Sequence, residues 1–201
     1  MQTQLRIVAG SLKGRRLACH VHADMRPTPQ MVREALFSIL GNAVPDRPFF
    51  DIYAGTGVIG MEAISRGASM THFIERDLLL SREIEKHIRA FQVGRKAKLF
   101  RTDAYRWVAA WNAPALPVNV FISPPFPDLK ERTDDMLQLL VTLQEKVHDE
   151  SVIVLQTERG SPLDDNEDLK AWERRNYGRN SLLIWQRDDN PVPSINDDAT
   201  V

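Results

Sequence analysis

From position 49 onward, short apolar runs alternate with longer stretches whose apolar residues recur every three or four positions. Short runs predict buried strands, and the wider spacing predicts amphipathic helices. Alternation of the two predicts a parallel sheet whose strands are joined by right-handed helical crossovers. The pattern predicts strands over 49–54, 71–75, 97–100, 118–122 and 151–156, and helices over 58–66, 78–91, 104–111 and 129–147.

The two ends of the chain carry different patterns. Residues 5–22 alternate apolar and basic side chains around two glycines, which predicts a short hairpin. An Arg-Pro-Thr-Pro turn at 26–29 then leads into a helix that ends before Gly41. Near the other end, the segments 171–176 and 181–186 flank a Tyr-Gly-Arg-Asn turn. We therefore expect an antiparallel hairpin at one edge of the sheet.

These patterns divide the chain into three parts. The length of 201 residues suits a single domain with an appendage. Residues 1–44 form the predicted N-terminal extension, a basic hairpin followed by a helix, and residues 45–187 form the predicted α/β domain. Residues 188–201 are acidic and polar with two prolines, which predicts a disordered tail.

Composition restricts the class of protein further. Hydrophobic residues make up 43% and charged residues 26% of the chain, which is ordinary globular usage. The single cysteine, Cys19, excludes an intrachain disulfide and a cysteine-based zinc cage, and it suits a reducing compartment. No apolar run reaches the roughly 18–20 residues that span a bilayer, and the start of the chain lacks a secretory signal. We therefore expect a cytoplasmic protein that uses neither a membrane nor a metal.

The net charge of −1 hides an uneven distribution of charged side chains. Residues 1–33 contain six bases and one acid, Asp24, whereas residues 160–201 contain nine acids and five bases. A basic chain end indicates contact with nucleic acid, and a solvated arm is the alternative. The six bases are Arg6, Lys13, Arg15, Arg16, Arg26 and Arg33.

The most informative local motif is Asp-Ile-Tyr-Ala-Gly-Thr-Gly-Val-Ile-Gly at 51–60, between a predicted strand and a predicted helix. Its glycines let the backbone approach a ligand closely, and Glu75 ends the next strand, where it can hold ribose hydroxyls. The spacing Gly-x-Gly-x-x-Gly fits both NAD and S-adenosylmethionine, and a turn without a ligand is a third alternative. Asp51 would repel a pyrophosphate but attract a sulfonium and an ammonium group. The motif therefore favours S-adenosylmethionine.

A third acid, Asp103, follows the third predicted strand of the α/β domain. By itself it is typical of a helix N-cap. Because Asp51 and Glu75 occupy the ends of the two preceding strands, we interpret Asp103 as the third member of a series. In that interpretation it lies beside the adenine of the cofactor.

The fourth of these strands ends in Ser123-Pro124-Pro125-Phe126. The two prolines stiffen the chain and remove two backbone donors, so carbonyl acceptors remain exposed. An aromatic ring beside such acceptors can stack on a nucleobase whose exocyclic amine they hold. Catalysis would then consist mainly of positioning and electrostatics. A rigid turn that packs Phe126 into the core is the structural alternative.

With these motifs, the chain resembles the RsmD-type methyltransferases, which act on guanine N2 of bacterial 16S ribosomal RNA. The resemblance covers roughly residues 5–187. It is carried by the blocks at 6–17 and 26–37, the glycine motif and the Ser-Pro-Pro-Phe segment. It implies a Rossmann-like, seven-stranded domain with a small N-terminal extension. It also implies methyl transfer from S-adenosylmethionine to a guanine amine on a ribosomal assembly intermediate.

One position departs from the family pattern, because Ser123 stands where the family has Asp or Asn. A hydroxyl accepts less strongly, which weakens the hold on an amine by on the order of 1–3 kcal/mol. Ser-Pro-Pro-Phe also resembles the motif of DNA cytosine-N4 methyltransferases. Three alternatives therefore stay open: methylation of another base, including in DNA; a catalytically degenerate RNA-binding or assembly factor; and an NAD-dependent oxidoreductase.

The predicted site has three groups of residues in a protein expected to be a monomer. The catalytic group is Ser123, Pro124, Pro125 and Phe126. The cofactor-binding group is Asp51, Ala54, Gly55, Gly57, Glu75, Arg76, Asp103 and Ala104. The RNA-binding group is Arg6, Lys13, Arg15, Arg16 and Arg26.

Overall fold

The structure is a computed structural model that describes residues 2–21, 25–164 and 166–187. The tail predicted at 188–201 lies outside the described residues, so its disorder stays a prediction. Within the three described ranges, no helix combines the length and the apolar character needed to cross a membrane.

The N-terminal extension contains the predicted hairpin and helix. Strands β1 (Gln2–Arg6) and β2 (Arg16–His20) pair antiparallel, with Leu5 opposite Leu17. Helix α1 (Gln30–Leu40) follows, and Gly41 caps its C-terminus through an N–H to the Phe37 carbonyl. The glycine is required there because the backbone turns to a φ of 45°.

The main sheet contains seven strands: β3 (Phe49–Ile52), β4 (Thr71–Ile74), β5 (Ala97–Phe100), β6 (Asn119–Ile122), β7 (Val152–Glu158), β8 (Glu173–Tyr177) and β9 (Asn180–Trp185). Their order across the sheet is β5-β4-β3-β6-β7-β9-β8. Strands β3 to β7 are parallel, whereas β9 runs antiparallel to both β7 and β8. The predicted Rossmann-like sheet with an antiparallel edge is thereby confirmed.

Helices cover both faces of this sheet. They are α2 (Val58–Ser65), α3 (Leu78–Ala90), α4 (Ala104–Ala110), α5 (Phe126–Glu131) and α6 (Thr133–Lys146). Because side chains alternate along a strand, Phe49 and Phe50 belong to different hydrophobic clusters. The cluster on one face includes α1, α2, α3 and Leu17 of the hairpin, and the cluster on the other includes α4, α5 and α6. The extension therefore packs into the same core as the sheet.

The long helix predicted at 129–147 is two helices in the structure. The backbone leaves the helical region at Arg132, where φ is −130° and ψ is 38°. The Thr133 hydroxyl donates to the Leu129 carbonyl at 2.9 Å, which competes with regular helix bonding, and the Arg132 guanidinium lies 3.8 Å from the Tyr105 ring centroid. This local hydrogen bond and a stacking contact from α4 explain the break, and neither leaves a periodicity signal.

The closing hairpin is tighter than the sequence pattern predicts. Tyr177 and Asn180 pair directly, so Gly178 and Arg179 alone form the turn. Gly178 has a φ of 59°, as two-residue hairpin turns require. The two strands consequently begin and end one or two residues away from the predicted positions.

Arg33, one of the six bases in the N-terminal segment, is buried and unavailable to a polyanion. Only 2% of its side chain is exposed, and its Nε donates to Glu62 Oε1 of α2 at 2.9 Å. Its Nη1 and Nη2 donate to the carbonyls of Thr28 and Arg6 at 3.0 and 2.9 Å. One guanidinium thereby joins the hairpin, the turn before α1 and the helix after the glycine motif.

Loss of this guanidinium should destabilise the fold strongly. An Arg33→Met variant leaves Glu62 buried and largely unpaired, and the free energy of unfolding should fall by about 3–5 kcal/mol. The Arg33→Met/Glu62→Met double variant removes both charges and should recover part of that loss. Urea unfolding followed by tryptophan fluorescence measures both. Lys170→Met, at an exposed ion pair, serves as the control and should leave the midpoint almost unchanged. Equal midpoints for the Arg33→Met variant and the wild type would contradict this role.

Candidate active site

A cavity of about 290 Å³ opens at the carboxyl ends of β3, β4, β6 and β7. Strand order reverses between β3 and β6, and open α/β sheets bind ligands beside such a point. The segment 25–28, which leads into α1, forms part of the wall. The predicted site residues that line the cavity are Arg26, Asp51, Ala54, Gly55, Glu75, Arg76, Ser123, Pro124, Pro125 and Phe126.

Asp51 lies at the inner wall of this cavity. Its side chain is 1% exposed, and its Oδ2 accepts a hydrogen bond from the Gly60 N–H at 2.9 Å. Burial raises the pKa of Asp51 to about 8; the Gly60 hydrogen bond opposes this rise, and the nearby Glu75 charge adds to it. The carboxyl group therefore gains most from a cationic ligand that stabilises its ionised form.

The glycine motif turns through three residues in the left-handed region of backbone conformation. Tyr53, Gly55 and Gly57 have positive φ values of 62°, 55° and 72°, and β3 consequently ends two residues earlier than predicted. Gly57 caps the start of α2. A Cβ atom at Gly60 would lie 2.2 Å from the Phe73 ring, so only glycine lets α2 pack this closely on β4. The loop backbone is thus fixed beside the cavity.

Glu75 holds the glycine-motif loop through a hydrogen bond from the loop's backbone. Its Oε2 accepts the Gly55 N–H and its Oε1 accepts the Asp77 N–H, both at 2.8 Å. Burial raises the pKa of Glu75 above its usual value. Each oxygen keeps lone-pair capacity for a further donor, such as a ribose hydroxyl. Over the described ranges, no cluster of three or more His, Cys, Asp or Glu side chains is arranged to hold a metal ion.

These two acids fit a cationic, ribose-bearing ligand better than a pyrophosphate. Asp51 and Glu75 both line the cavity, and burial raises the pKa of each carboxyl. A bound anion would oppose ionisation of these carboxyls still further, whereas a bound cation stabilises their charged forms. The residues present therefore fit S-adenosylmethionine.

Asp103 does not line the cavity as the strand-end series suggested. It is the N-cap of α4, where its Oδ1 accepts the N–H groups of Tyr105 and Arg106 at 3.0 and 3.3 Å. Its Oδ2 lies 3.6 Å from Arg76 Nη1. Gly57 and Ala104 are also absent from the cavity wall. Of the two interpretations of Asp103, as a helix N-cap or as a residue beside the cofactor's adenine, the structure shows the N-cap.

The Ser-Pro-Pro-Phe segment turns the chain from β6 into α5 at the cavity wall. The Ser123 N–H donates to the Ile52 carbonyl at 3.2 Å, which continues the pairing of β6 with β3. The Pro125 carbonyl accepts the Asp128 N–H at 3.0 Å and is thus committed to the helix. The Pro124 carbonyl has no hydrogen-bond partner among the described residues. It is therefore the proline carbonyl that remains available to a ligand.

Several cavity residues were not predicted from the sequence. Tyr53 and Leu80 belong to the predicted motif and helix but were not assigned to the site, and Met25 and Thr28 come from the extension. Gln156 lies near the carboxyl end of β7, and its Oε1 accepts the Thr28 hydroxyl at 2.8 Å. Gln156 could have been predicted as a site residue because it is a polar residue near the carboxyl end of a strand. Its hydrogen bond with Thr28 leaves no signal in the sequence.

The predicted RNA-binding residues are all exposed: Arg6, Lys13, Arg15, Arg16 and Arg26. Arg26 lines the cavity itself. Arg15 docks on the end of α3, where it donates to the Ala90 carbonyl at 3.0 Å and lies 4.9 Å from the Phe91 ring centroid. The hairpin is thereby fixed against the helix that begins at the cavity.

Comparison with known proteins places the chain among methyltransferases. Residues 5–186 match the family described as "Conserved hypothetical protein 95". The Bacillus subtilis protein named "Putative rRNA methyltransferase YlbH" is 27% identical over 185 residues, covering 91% of this chain and 99% of that protein. Ribosomal RNA small subunit methyltransferase D of Escherichia coli is 34% identical over 136 residues, covering 67% of each chain.

A solved structure agrees with these matches. The chain named "Putative methyltransferase yhhF from Escherichia coli" has a TM-score of 0.73 and 28% sequence identity, covering 92% of this chain and 98% of that chain. The similarity therefore includes the N-terminal extension as well as the main sheet. The chain belongs to the family of conserved hypothetical protein 95, the RsmD family of methyltransferases.

Proposed function

We propose that this protein transfers the methyl group of S-adenosylmethionine to an exocyclic amine of ribosomal RNA, namely N2 of a guanine in the small-subunit rRNA. The observation that carries the proposal is one cavity lined both by the buried carboxyls of Asp51 and Glu75 and by the Ser-Pro-Pro-Phe segment. The names of the relatives support the substrate class. They also favour S-adenosylmethionine over NAD.

The cofactor supplies an electrophilic methyl group on a positively charged sulfonium. Asp51 stabilises the positive charge of the bound cofactor, and Glu75 accepts hydrogen bonds from its ribose. The backbone at Ala54 and Gly55 approaches it closely, because the loop has no bulky side chain at that point. Arg76 lines the same wall. Gly57 shapes the loop, and we assign Asp103 and Ala104 to the adenine side.

The target amine lies against the Ser-Pro-Pro-Phe segment. The Pro124 carbonyl and the Ser123 hydroxyl accept its two N–H bonds, which leaves the nitrogen lone pair directed toward the methyl group. Pro125 holds the segment rigid, and the Phe126 ring stacks on the base. The new N–C bond would form as the bond between sulfur and the methyl group breaks, S-adenosylhomocysteine would leave as the product, and the surplus amine proton would pass to solvent water. The chain contributes orientation and hydrogen-bond acceptors, and no covalent intermediate forms with the protein.

The RNA contacts the basic side of the extension. The five predicted residues are exposed, and Arg26 lies at the cavity, so phosphates along the extension can lead a nucleotide to the site. A ribosomal assembly intermediate presents such an RNA surface. We assign the protein to the cytoplasm and expect it to act there as a monomer.

Ser123 favours a second candidate function. Because a hydroxyl accepts less strongly than the carboxylate or carboxamide of the family pattern, the chain can be an RNA-binding assembly factor that retains the fold without catalysis. Such a protein would bind S-adenosylmethionine and rRNA but transfer no methyl group. A Ser123→Asp variant that also transfers none would favour this candidate.

The affinity for S-adenosylmethionine should depend on pH through Asp51. With a pKa of about 8, the Asp51 carboxyl is largely neutral at pH 6–7 in the free protein, and the bound cation favours its ionisation. Binding therefore releases a proton, and the ratio of wild-type affinity to Asp51→Asn affinity should rise by up to about tenfold per pH unit below that pKa. Calorimetric titrations from about pH 6 to pH 9 measure the ratio.

The ammonium of the free cofactor titrates in the same way in both experiments, and Glu75 is present in both proteins. These two groups therefore contribute to both affinities, and the ratio reports the change at Asp51. A ratio that stays constant across this range would refute the assignment of Asp51 to the cationic cofactor.

Removal of the protein should remove one methylated guanine from small-subunit rRNA. Mass-spectrometric mapping of nucleosides from a strain that lacks the protein should show this loss, and the wild-type gene should restore it. A Ser123→Ala gene should restore at most about one tenth of the methylation rate, because it deletes an acceptor for the amine. Identical maps with and without the protein would contradict the proposed function.

The basic extension should make RNA binding depend on salt. An Arg6→Gln/Lys13→Gln/Arg16→Gln variant should reduce the slope of log affinity against log salt by about 2–3, since each phosphate contact contributes about 0.7–0.9. Filter binding to small-subunit rRNA between low and moderate salt measures this slope. The exposed triple variant Arg95→Gln/Lys96→Gln/Lys98→Gln carries the same charge change and is the control. Equal slopes for the two variants would argue against the extension as the RNA surface.

A further inference from the structure

We propose that Gln156 is a positioning residue whose Oε1 accepts the hydrogen bond donated by the Ser123 hydroxyl, so that the Ser123 oxygen presents only lone pairs to the target amine. This inference rests on the proposed function, because it concerns the residue that holds the substrate amine. It explains how a serine can serve at the position where the family pattern has a carboxylate or a carboxamide.

The sheet places the two side chains next to each other. Strands β6 and β7 pair in parallel with Ile122 opposite Leu155, so Ser123 and Gln156 are the next residues at the carboxyl ends of neighbouring strands. Both line the cavity, and Gln156 is only 5% exposed. The Ser123 Oγ lies 3.5 Å from Gln156 Oε1, with the hydroxyl as donor.

The Gln156 carboxamide is held at both ends, which directs its oxygen toward Ser123. Its Nε2 donates to Asn180 Oδ1 of β9 at 3.0 Å, and its Oε1 accepts the Thr28 hydroxyl at 2.8 Å. A carbonyl oxygen has two lone pairs, and Thr28 occupies one of them. The second is available to the Ser123 hydroxyl.

Hydroxyl chemistry makes this acceptor important. A serine hydroxyl both donates and accepts, whereas a target amine that keeps its lone pair for the methyl group has only N–H donors to offer. If the Ser123 hydroxyl proton pointed toward the amine, the O–H donor of Ser123 would face an N–H donor of the amine, and no hydrogen bond would form between them. When the Ser123 hydroxyl instead donates its hydrogen bond to Gln156 Oε1, the Ser123 oxygen acts only as an acceptor toward the amine, beside the unpartnered Pro124 carbonyl. Bound substrate tightens the 3.5 Å contact, as catalytic hydrogen bonds commonly do.

The same contact links the N-terminal extension to the site. Thr28 belongs to the turn before α1, and its carbonyl accepts the buried Arg33 guanidinium at 3.0 Å. A series of hydrogen bonds therefore runs from Arg33 through the backbone carbonyl and the hydroxyl of Thr28 to Gln156 and Ser123. The extension thus supports the acceptor geometry, in addition to the contact that its exposed bases make with RNA.

A double-variant experiment distinguishes this role from a merely structural one. Gln156→Leu should lower single-turnover methyl transfer by about 10- to 100-fold, because the Ser123 hydroxyl loses its acceptor, while affinity for S-adenosylmethionine changes less than about twofold. In a Ser123→Asn background the carboxamide oxygen needs no such partner. There the same Gln156→Leu change should lower the rate by less than about threefold. An equal loss in both backgrounds would overturn the proposal.

Two further variants control for strand damage. Gln156→Glu keeps the acceptor oxygen and should restore most of the rate, whereas a structural role of the whole carboxamide predicts no rescue. Thr157→Val changes the next residue of β7, which is buried, lies outside the cavity and has no hydrogen-bond partner for its hydroxyl among the described residues. It should leave the transfer rate unchanged.

Thermal unfolding separates failure of this inference from failure of the proposed function. If wild-type protein binds S-adenosylmethionine but methylates no rRNA, the proposed function fails. The contact is then judged from the unfolding midpoints of Ser123→Ala, Gln156→Leu and the double variant. Non-additive midpoint shifts support the hydroxyl–carboxamide contact, and additive shifts refute it.

Discussion

A buried guanidinium needs a counter-charge and hydrogen-bond acceptors, and Arg33 obtains them from three separate segments of the chain. Glu62 neutralises its charge and accepts its Nε–H, and the carbonyls of Thr28 and Arg6 each accept one N–H from Nη1 and Nη2. Any displacement of the hairpin, the turn or α2 would leave a charge or a donor unsatisfied away from water. The extension is thereby held in one position on the glycine-motif helix, and the cavity wall at 25–28 depends on that position.

The parallel arrangement of the strands brings acidic side chains together at the cavity. Parallel strands end at the same edge, so acids that are far apart in sequence come together at the carboxyl ends of β3 and β4. Burial raises the pKa of both Asp51 and Glu75, and the Glu75 charge raises the pKa of Asp51 further, so a positively charged ligand stabilises the ionised carboxyls. The same edge places Ser123 and Gln156 side by side on β6 and β7. The residues that we propose to bind the cationic cofactor and those that we propose to bind the target amine therefore line one pocket.

The predicted and observed structures differ where a side chain had two possible uses. In the sequence, Arg33 is one of six bases near the N-terminus, but in the structure it is buried and paired with Glu62. Helical periodicity does not reveal which basic side chains have a buried acidic partner. Asp103 is the N-cap of α4, one of the two uses that the sequence allows for it, and the N–H groups of Tyr105 and Arg106 occupy its Oδ1. The break at Arg132 arises from a Thr133 hydroxyl and a ring on α4, both invisible to a pattern of apolar residues.

The sequence by itself determined the order of strands and helices, the antiparallel edge, the glycine motif and the acids that accompany it. These features depend on local periodicity, backbone conformation and residue chemistry, all of which can be inferred from residues that are close together in the sequence. Only the tertiary structure decided which side chains meet: Arg33 with Glu62, Thr28 with Gln156, and Gln156 with Ser123. Each pair joins residues tens of positions apart, and their contact exists only once the sheet register and the packing of the extension bring them together.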